Sequence, residues 1–415
     1  MKMSLMSLKG FRLIRFIKDD RHVRSAVLVV ILITILVVTA ARLRADTGDC
    51  GGSMISLPFT DVGSSSVFFC SIAEAYFSAL TNGATPTTYN PSSNVPREQM
   101  AAFITRTMDQ TLVRGSRRAA LDQYWTSAGR AQIDFRDFEF PSLLQSDGTD
   151  IWVAYPSSGG IVVRNRGSDG KKLGTWTAAS GAHGVLCAMG KVFVTGTLTP
   201  GALYQIDPRQ PAGDVTTVSS TLGATPRGIA YDGQRIWTAN QSGSVSIVSL
   251  DPVSVISVST GFTELWGILY DGTNVWVTDT ISGSSGKLHK LDSSGAILMS
   301  IDVGTSPRFP AFDGTNIWVP NLDSNSVSVV RRSTGALLAT LTGNGINLPK
   351  MAAFDGDRIL VTCDFSVSLW KAADLTPIGT FSAFGHAQGA CSDGLNFWVP
   401  IRQEGVGGNS WLTLF

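Results

Sequence analysis

Seven side chains that recur at one fixed offset along the chain include three certain cations, a histidine and a tryptophan. Each stands five residues before the start of a copy of one repeated peptide: Ser142, His183, Arg227, Trp266, Arg308, Lys350 and Gln388. If the repeats surround one axis, these side chains converge, and converging positive charges in a concave mouth concentrate an electrostatic field. The set therefore predicts a site for an anion or a sugar. The alternative is that these residues cap strands and line a water-filled channel.

The repeated peptide that positions this ring is Asp-Gly-x-x-[Ile/Val]-Trp-Val. Five copies keep the aromatic marker, as Trp152, Trp237, Trp276, Trp318 and Trp398, and two degenerate copies carry Phe193 and Leu360 in its place. Successive markers are 41, 44, 39, 42, 42 and 38 residues apart. A period near 40 residues, with only strand-like segments inside each unit, predicts a β-propeller. The expected fold class is all-β, with seven blades over residues 131–415.

One repeat shows how a blade is expected to be built. Between residues 308 and 344, four apolar or alternating segments are separated by polar turns, and Asp313-Gly314 forms the first of these turns. After Trp398 the sequence provides one further strand, at 410–415. We therefore expect residues 131–140 to supply the outer strand of the last blade and to close the ring.

This organisation resembles the NHL- and YVTN-type propellers of bacterial surface proteins. Some related seven-bladed propellers are lyases that act on cyclic antibiotics with a metal and a channel histidine, a role for which His183 and His386 are the candidates here. The aligned ring contains no carboxylate to hold a metal, and no recognisable catalytic motif occurs in the chain. The sequence therefore favours a noncatalytic role without a cofactor or metal, and a propeller lyase or hydrolase is the alternative.

The N-terminal 45 residues have the pattern of an export segment. Nine Lys or Arg residues lie there against two acidic residues, and seven of these cations precede the 16-residue apolar run Ala26–Ala41. A basic flank of this kind stays in the cytoplasm. A signal peptide cleaved after Ala41 or Ala45 and an uncleaved single-pass anchor are both compatible with the run. Either one predicts an exported, cell-envelope protein that touches the membrane only through this segment.

Residues 46–110 resemble one S-layer homology (SLH) repeat. The matching elements appear in the family's order: Phe59-Thr-Asp61-Val62, a helix at 69–80, Asn82-Gly83, Tyr89-Asn-Pro91, and Pro96-Arg97-Glu98 opening a second helix. The resemblance implies noncovalent attachment to a cell-wall polymer. It assigns contact with the acidic sugar of that polymer to Arg97, and to Gly83 as a weaker candidate. The alternative is a small helical hairpin that packs on the propeller and binds nothing.

Charge and cysteine content limit the remaining possibilities. Outside residues 1–45 the chain has 24 basic and 30 acidic residues, which argues against nonspecific nucleic-acid binding. Export permits disulfides, and we expect either a Cys50–Cys70 bridge or free thiols at these positions. The other three cysteines, at 187, 363 and 391, are expected to be buried thiols. A helix and linker are expected at 111–130. A purely structural surface-layer component is a further functional alternative.

Overall fold

The computed structural model describes residues 47–50, 53–114, 131–135, 140–156, 159–383, 385–402 and 410–415. Seven antiparallel sheets follow one another along the chain, and the first strands of neighbouring sheets pack together. The predicted seven-bladed β-propeller is therefore confirmed. Each of the first six blades takes four consecutive strands in sequence order.

The strands of the first three blades are short and regular. Blade 1 contains β4 (Leu144–Ser146), β5 (Asp150–Tyr155), β6 (Ile161–Arg166) and β7 (Lys172–Trp176). Blade 2 contains β8 (Ala182–Ala188), β9 (Lys191–Gly196), β10 (Gly201–Ile206) and β11 (Thr216–Leu222). Blade 3 contains β12 (Pro226–Tyr231), β13 (Ile236–Asn240), β14 (Ser244–Leu250) and β15 (Val253–Val258).

The next three blades repeat this plan. Blade 4 contains β16 (Leu265–Tyr270), β17 (Val275–Asp279), β18 (Lys287–Leu291) and β19 (Ile297–Asp302). Blade 5 contains β20 (Ala311–Phe312), β21 (Asn316–Asn321), β22 (Ser326–Arg331) and β23 (Leu337–Leu341). Blade 6 contains β24 (Met351–Phe354), β25 (Arg358–Thr362), β26 (Ser366–Lys371) and β27 (Pro377–Ser382).

The seventh blade joins the two ends of the propeller. Its inner strand is split into β28 (His386–Ala387) and β29 (Cys391–Ser392), followed by β30 (Phe397–Arg402) and β31 (Ser410–Leu414). The outer strand is β3 (Ala131–Phe135), which pairs antiparallel with β31 from Ala131↔Leu414 to Phe135↔Ser410. This is the closure expected from the sequence. The N-terminal strand of the propeller completes the sheet that the C-terminal strands begin, and this pairing closes the ring.

The repeated turn and its marker residue have separate structural roles. In the copy at Asp271, the carboxylate Oδ1 accepts hydrogen bonds from the backbone N–H of Thr273 (2.8 Å) and Asn274 (2.7 Å). Gly272 adopts a φ of 89°, which a residue with a Cβ rarely tolerates. The tryptophan five residues after the aspartate is buried, as in all five close copies. Trp318, for example, packs with Ile359 and Val361 of the next blade. The marker is thus core and the aspartate is a turn residue.

A small N-terminal unit precedes the propeller. It consists of a two-stranded sheet of β1 (Thr47–Cys50) and β2 (Ser53–Ser56), then α1 (Phe69–Phe77) and α2 (Arg97–Arg114). A disulfide joins Cys50 to Cys70, which settles the alternative left open by the sequence. The other three cysteines are free; Cys363 and Cys391 are buried, and Cys187 is partly exposed.

The N-terminal unit packs on blades 5 and 6. Its buried apolar side chains, among them Phe59, Phe69 and Phe77, share one hydrophobic cluster with those blades. At the C-terminal end of α1, Arg331 donates to the backbone oxygen of Tyr76 (2.5 Å) and Asn316 donates to that of Phe77 (3.0 Å). The carbonyl of Phe77 is one that a helix end leaves without a backbone donor, and the cation of Arg331 also complements the helix dipole.

Several expectations differ from the structure or lie outside its described part. The first helix ends at Phe77 rather than at residue 80, because Ala79 takes a φ of 58°. The export segment at 1–45 and most of the linker at 111–130 lie outside the described residues. Within the described part of the chain, no helix has the length and apolar character that crossing a membrane requires.

Candidate functional site: a basic funnel in the propeller

All seven side chains of the predicted ring line one cavity of about 340 Å³, which we call the funnel. The remaining lining residues are Phe140, Pro141, Leu143, Pro156, Phe309, Leu322 and Arg402. Of the fourteen lining residues in the part of the chain that the structure describes, four are Arg or Lys and none is Asp or Glu. The structure therefore brings the predicted residues together, although the binding role assigned to them stays a prediction.

The funnel opens on the face of the propeller where the inner strands begin. Backbone hydrogen bonds fix the ring positions against the second strand of the same blade: Arg308 N donates to Pro320 O (2.8 Å), and Lys350 N donates to Thr362 O (2.8 Å). Leu143 and Phe309 form the floor, since they also line a second cavity of about 280 Å³. The side chains of Leu143 and Phe309 thus lie between the basic cavity and the second one.

The N-terminal unit and the funnel lie on opposite faces of the ring. Strand β21 runs from Asn316, which bonds to α1, to Asn321, whose neighbour Leu322 lines the funnel. One strand therefore spans the distance between the two regions. The docked unit leaves the funnel face uncovered.

Blade 4 holds the tryptophan of the ring through a chain of hydrogen bonds. The Trp266 indole Nε1 donates to Glu264 Oε1 (3.1 Å), and the Glu264 backbone N–H donates to Asp279 Oδ1 (2.7 Å). Glu264 also accepts from Gln241 Nε2 (2.8 Å), while Gln241 Oε1 accepts from Arg227 Nη2 (2.8 Å). Arg227 and Trp266 are therefore held in place by polar partners before any ligand arrives.

Blade 6 gives the lysine of the ring a counter-ion. Lys350 Nζ lies 3.7 Å from Asp364 Oδ1, and the same oxygen is 2.5 Å from His386 Nδ1. Burial lowers the pKa of Lys350, and Asp364 acts in the opposite direction by favouring the charged amine. His386 stands two residues before the ring position Gln388 and is not among the residues that line the funnel, and its candidate catalytic role stays a prediction.

Arg308 differs from Arg227 and Lys350 because its guanidinium has no hydrogen-bond or ion-pair partner among the described residues. Its guanidinium lies over the Trp266 ring, with Cζ 3.6 Å from the ring centroid. Within the part of the chain that the structure describes, it makes no hydrogen bond or ion pair, and its Nη1 is buried without an acceptor. Burial lowers the pKa of Arg308 against the attraction of Glu264 and Asp323. Arginine nevertheless keeps its charge in proteins, so a stacked cation here lacks a hydrogen-bonding partner.

Arg402 is a lining cation that the repeat alignment did not single out. Its guanidinium lies over the Phe140 ring at 4.3 Å. Arg402 stands four residues after the marker Trp398, and the same offset gives Pro156, Thr197, Gln241, Thr280, Leu322, Asp364 and Arg402. Three of these residues line the funnel and two others, Gln241 and Asp364, bond to ring cations. Counting forward as well as backward from the repeat would have found this second ring.

The second ring explains why the Arg308 guanidinium has no hydrogen-bonding partner among the described residues. In blade 3 the residue at this offset is Gln241, which accepts from Arg227, and in blade 6 it is Asp364, which pairs with Lys350. In blade 5 the corresponding residue is Leu322, which has no acceptor. The blades therefore share a layout in which only two of these three ring cations receive a polar partner.

His183 is a neutral member of the ring. Burial lowers its pKa to about 3, and the Arg227 charge acts in the same direction. Its Nδ1 lies 3.2 Å from the backbone oxygen of Arg227. Because a carbonyl oxygen only accepts, Nδ1 carries the proton and Nε2 is left as an acceptor. A histidine with so low a pKa is a weak general base at neutral pH.

The two candidate residues of the N-terminal unit have different surroundings. Gly83 has a φ of 82°, and a Cβ added there would lie 2.4 Å from Phe59 Cε1, so packing alone explains the glycine. Arg97 is exposed at the first residue of α2. Asp61 of the SLH-like pattern accepts from the backbone N–H of Tyr89 (2.8 Å) and Asn90 (2.7 Å), which ties the two parts of that pattern together.

A Ser-His-Asp arrangement occurs in blade 4, away from the funnel. His289 Nδ1 lies 2.8 Å from Ser300 Oγ, and His289 Nε2 lies 3.3 Å from Asp279 Oδ2. Asn240 and Ser246 occupy the same positions in blade 3 as Asp279 and His289 in blade 4, and they are also joined by a hydrogen bond. The contact is therefore explained as a hydrogen bond that links neighbouring strands. Among the described residues, no three His, Cys, Asp or Glu side chains are grouped to hold a metal ion.

Comparisons with known proteins identify the fold alone. No family model and no curated protein matches the chain. Among solved structures, hydrazine synthase of Kuenenia stuttgartiensis superimposes with a TM-score of 0.54 at 14% identity, covering 63% of this chain and 93% of that one. The WD40 propeller domain of Doa1 gives 0.54 at 12% identity, with 69% and 97% covered. The Pan2 WD40 domain of Neurospora crassa gives 0.54 at 9% identity, with 70% and 96% covered.

Proposed function

We propose that this chain is an exported, noncatalytic envelope protein that binds an anionic ligand in the funnel. The N-terminal segment directs export, as a signal peptide or as a single-pass anchor. The SLH-like unit at 46–110 attaches the protein to a cell-wall polymer through Arg97. The propeller then presents its funnel for binding.

The observation that carries the proposal is the state of Arg308. A partly buried guanidinium without an acceptor is unfavourable, because its desolvated donors are not compensated. Here that group lies beside three further cations in a concave cavity that no carboxylate lines. An anion that enters the funnel supplies the missing acceptors, so binding removes a cost already present in the free protein.

Three features support the remaining parts of the proposal. The Cys50–Cys70 disulfide fits the oxidising compartment that an exported protein reaches. The N-terminal unit occupies the face opposite the funnel, so tethering and ligand binding do not compete for space. The low pKa of His183 and its bond to Arg227 favour a binding role over general-base catalysis.

The tether is tested by cosedimentation of the full-length protein with isolated bacterial cell walls. We expect the wild-type protein and R308A to sediment, and R97A to remain in solution. R209A is the matched control, because the Arg209 side chain is 76% exposed and belongs to the propeller. Equal sedimentation of R97A and R209A would show that Arg97 is not the tether.

The funnel is tested by thermal shift with a panel of organic carboxylates, phosphates and sulfates. We expect at least one class to raise the melting temperature of the wild-type protein and to leave that of R308A unchanged, because a ligand stabilises only the state that binds it. If every shift is the same in R308A, the funnel is not the anion site.

A further inference from the structure

We infer that the funnel ligand is a carboxylate on an apolar body with one hydrogen-bond donor, rather than a polyanion. The inference rests on the proposed funnel function and goes further by naming the ligand class. Three properties of the funnel carry it: the number of uncompensated cations, the shape of the free donor group and the character of the floor.

The charge of the funnel leaves room for one or two negative charges. Of the four lining cations, Arg227 is bridged by Gln241 to Glu264, and Lys350 is paired with Asp364. Arg308 and Arg402 are each stacked on an aromatic ring and make no hydrogen bond or ion pair with the residues that the structure describes. A polyanion would need several such free cations, and this funnel does not offer them.

The free donor group is planar and fixed in orientation. The Arg308 guanidinium lies against the Trp266 ring, with Cζ 3.6 Å from the ring centroid, and this contact restricts the directions in which its planar fork of N–H groups can point. That fork matches the two oxygens of a carboxylate. The indole is itself held by Glu264, so little orientation is lost when a ligand binds.

The floor and walls are apolar. Leu143 and Phe309 close the funnel below, and Leu322, Pro141 and Pro156 add to the apolar lining. A sulfate or phosphate group pressed against these side chains would lose hydration without compensation. An apolar body gains from the same contact. His183 Nε2 adds one acceptor for an O–H or N–H of the ligand.

The test measures binding of N-acetyl-L-phenylalanine to the full-length protein by titration calorimetry. This probe joins a carboxylate, an apolar ring and one amide N–H. Because charge-assisted hydrogen bonds are among the stronger ones, we expect N-acetyl-L-phenylalaninamide to bind at least about tenfold more weakly. Phenyl phosphate should also bind more weakly than the carboxylate.

Two variants test the role of Arg308 in different ways. R308K keeps the charge but loses the planar fork, so we expect affinity for the carboxylate to fall by about tenfold. L322D keeps Arg308 and places a carboxylate where blade 6 has Asp364, so we expect it to compete with the ligand and abolish binding. R209A is the control for both, and unchanged melting temperatures show that the variants are folded.

The outcomes separate this inference from the function on which it rests. Carboxylate binding that is lost in L322D and weakened in R308K supports the inference. Equal binding of the acid and its amide overturns it, and so does tighter binding of phenyl phosphate. If only phosphates or sulfates bind, and R308A abolishes that binding, the funnel function stands and the carboxylate assignment is wrong. If nothing binds in an Arg308-dependent way, both are wrong.

Discussion

The indole Nε1 of Trp276 donates a hydrogen bond to Oδ2 of Asp271, five residues earlier, at 2.7 Å. The same bond recurs at 2.7–2.9 Å in the four other close copies of the repeat. One carboxylate thus holds the turn with Oδ1 and anchors the buried tryptophan with Oδ2. In blade 6, where Leu360 replaces the tryptophan, Arg358 Nε takes the place of the indole at 2.8 Å from Asp355.

Because of this bond, the aspartate and the tryptophan should contribute to stability as a pair. We expect D271A to lower the free energy of unfolding by about 3 kcal/mol, since it leaves buried donors without an acceptor. W276F keeps most of the packing but removes the N–H, so a loss of about 1–2 kcal/mol is expected. Urea denaturation measures both.

D302A is the matched control for these two variants. Asp302 has a side chain that is 73% exposed, and its pair with Lys287 lies at the surface. Such pairs contribute about 0–1 kcal/mol. A W276F protein as stable as D302A would show that the indole N–H does not matter.

Gly83 offers a test of the N-terminal unit that leaves the propeller intact. G83A puts a Cβ 2.4 Å from Phe59 Cε1 in a backbone with φ of 82°, so we expect the unit to open locally. Hydrogen exchange should rise in residues 57–90 and stay unchanged in blades 1–4. G63A is the control, because its added Cβ meets only Ser65 Oγ, at 4.0 Å. Matching exchange in both variants would contradict the packing role of Gly83.

Thiol counting tests the disulfide and the buried cysteines together. Burial raises the pKa of Cys187 to about 12 and that of Cys363 to about 11, and it also raises the pKa of Cys391. Since the thiolate is the reactive form, we expect slow labelling of the native protein at pH 7.5. Denaturation without a reductant should release three thiols, and reduction should then give five. Five thiols before reduction would exclude the Cys50–Cys70 bridge.

Acid should weaken the fold through His183. The pKa of this residue is about 3 in the folded protein and about 6.5 when unfolded, so between these values only the unfolded chain takes up the proton. Stability therefore falls as pH drops through this window. From pH 7 to pH 4.5 the contribution is about 2–3 kcal/mol. H183Q should lose less stability than the wild-type protein over that interval. An identical loss would show that His183 does not titrate as its burial requires.

Much of the fold could be predicted because each blade carries a copy of the same sequence repeat. Asp-Gly turns and buried aromatic markers at a spacing near 40 residues fix the blade count, and aligning the blades identified seven of the fourteen residues that line the funnel. Strand pairing between residues 131–135 and 410–414 followed from counting strands in the last blade. These properties depend on local patterns that each blade repeats.

What could not be predicted depends on contacts between distant parts of the chain. Nothing near Arg331 indicates that it caps α1, because its partner Tyr76 lies 255 residues earlier. The missing partner of Arg308 becomes visible only when blades 3, 5 and 6 are compared at the position of Leu322. The Asp-Gly turn and the tryptophan marker recur in every close copy of the repeat, whereas the absence of an acceptor at Leu322 occurs in one blade and has no period.

The pairing of β3 with β31 also has a kinetic consequence. A linear array of repeats has end units with a single neighbour, which can detach first while the rest persists. Here the first strand of the propeller, β3, pairs with its last strand, β31, in one sheet, so every blade has two neighbours. Unfolding must therefore begin with the loss of the β3–β31 pairing or with the separation of two neighbouring blades. We therefore expect the lifetime of the folded protein to be set by one slow, all-or-none opening rather than by gradual fraying.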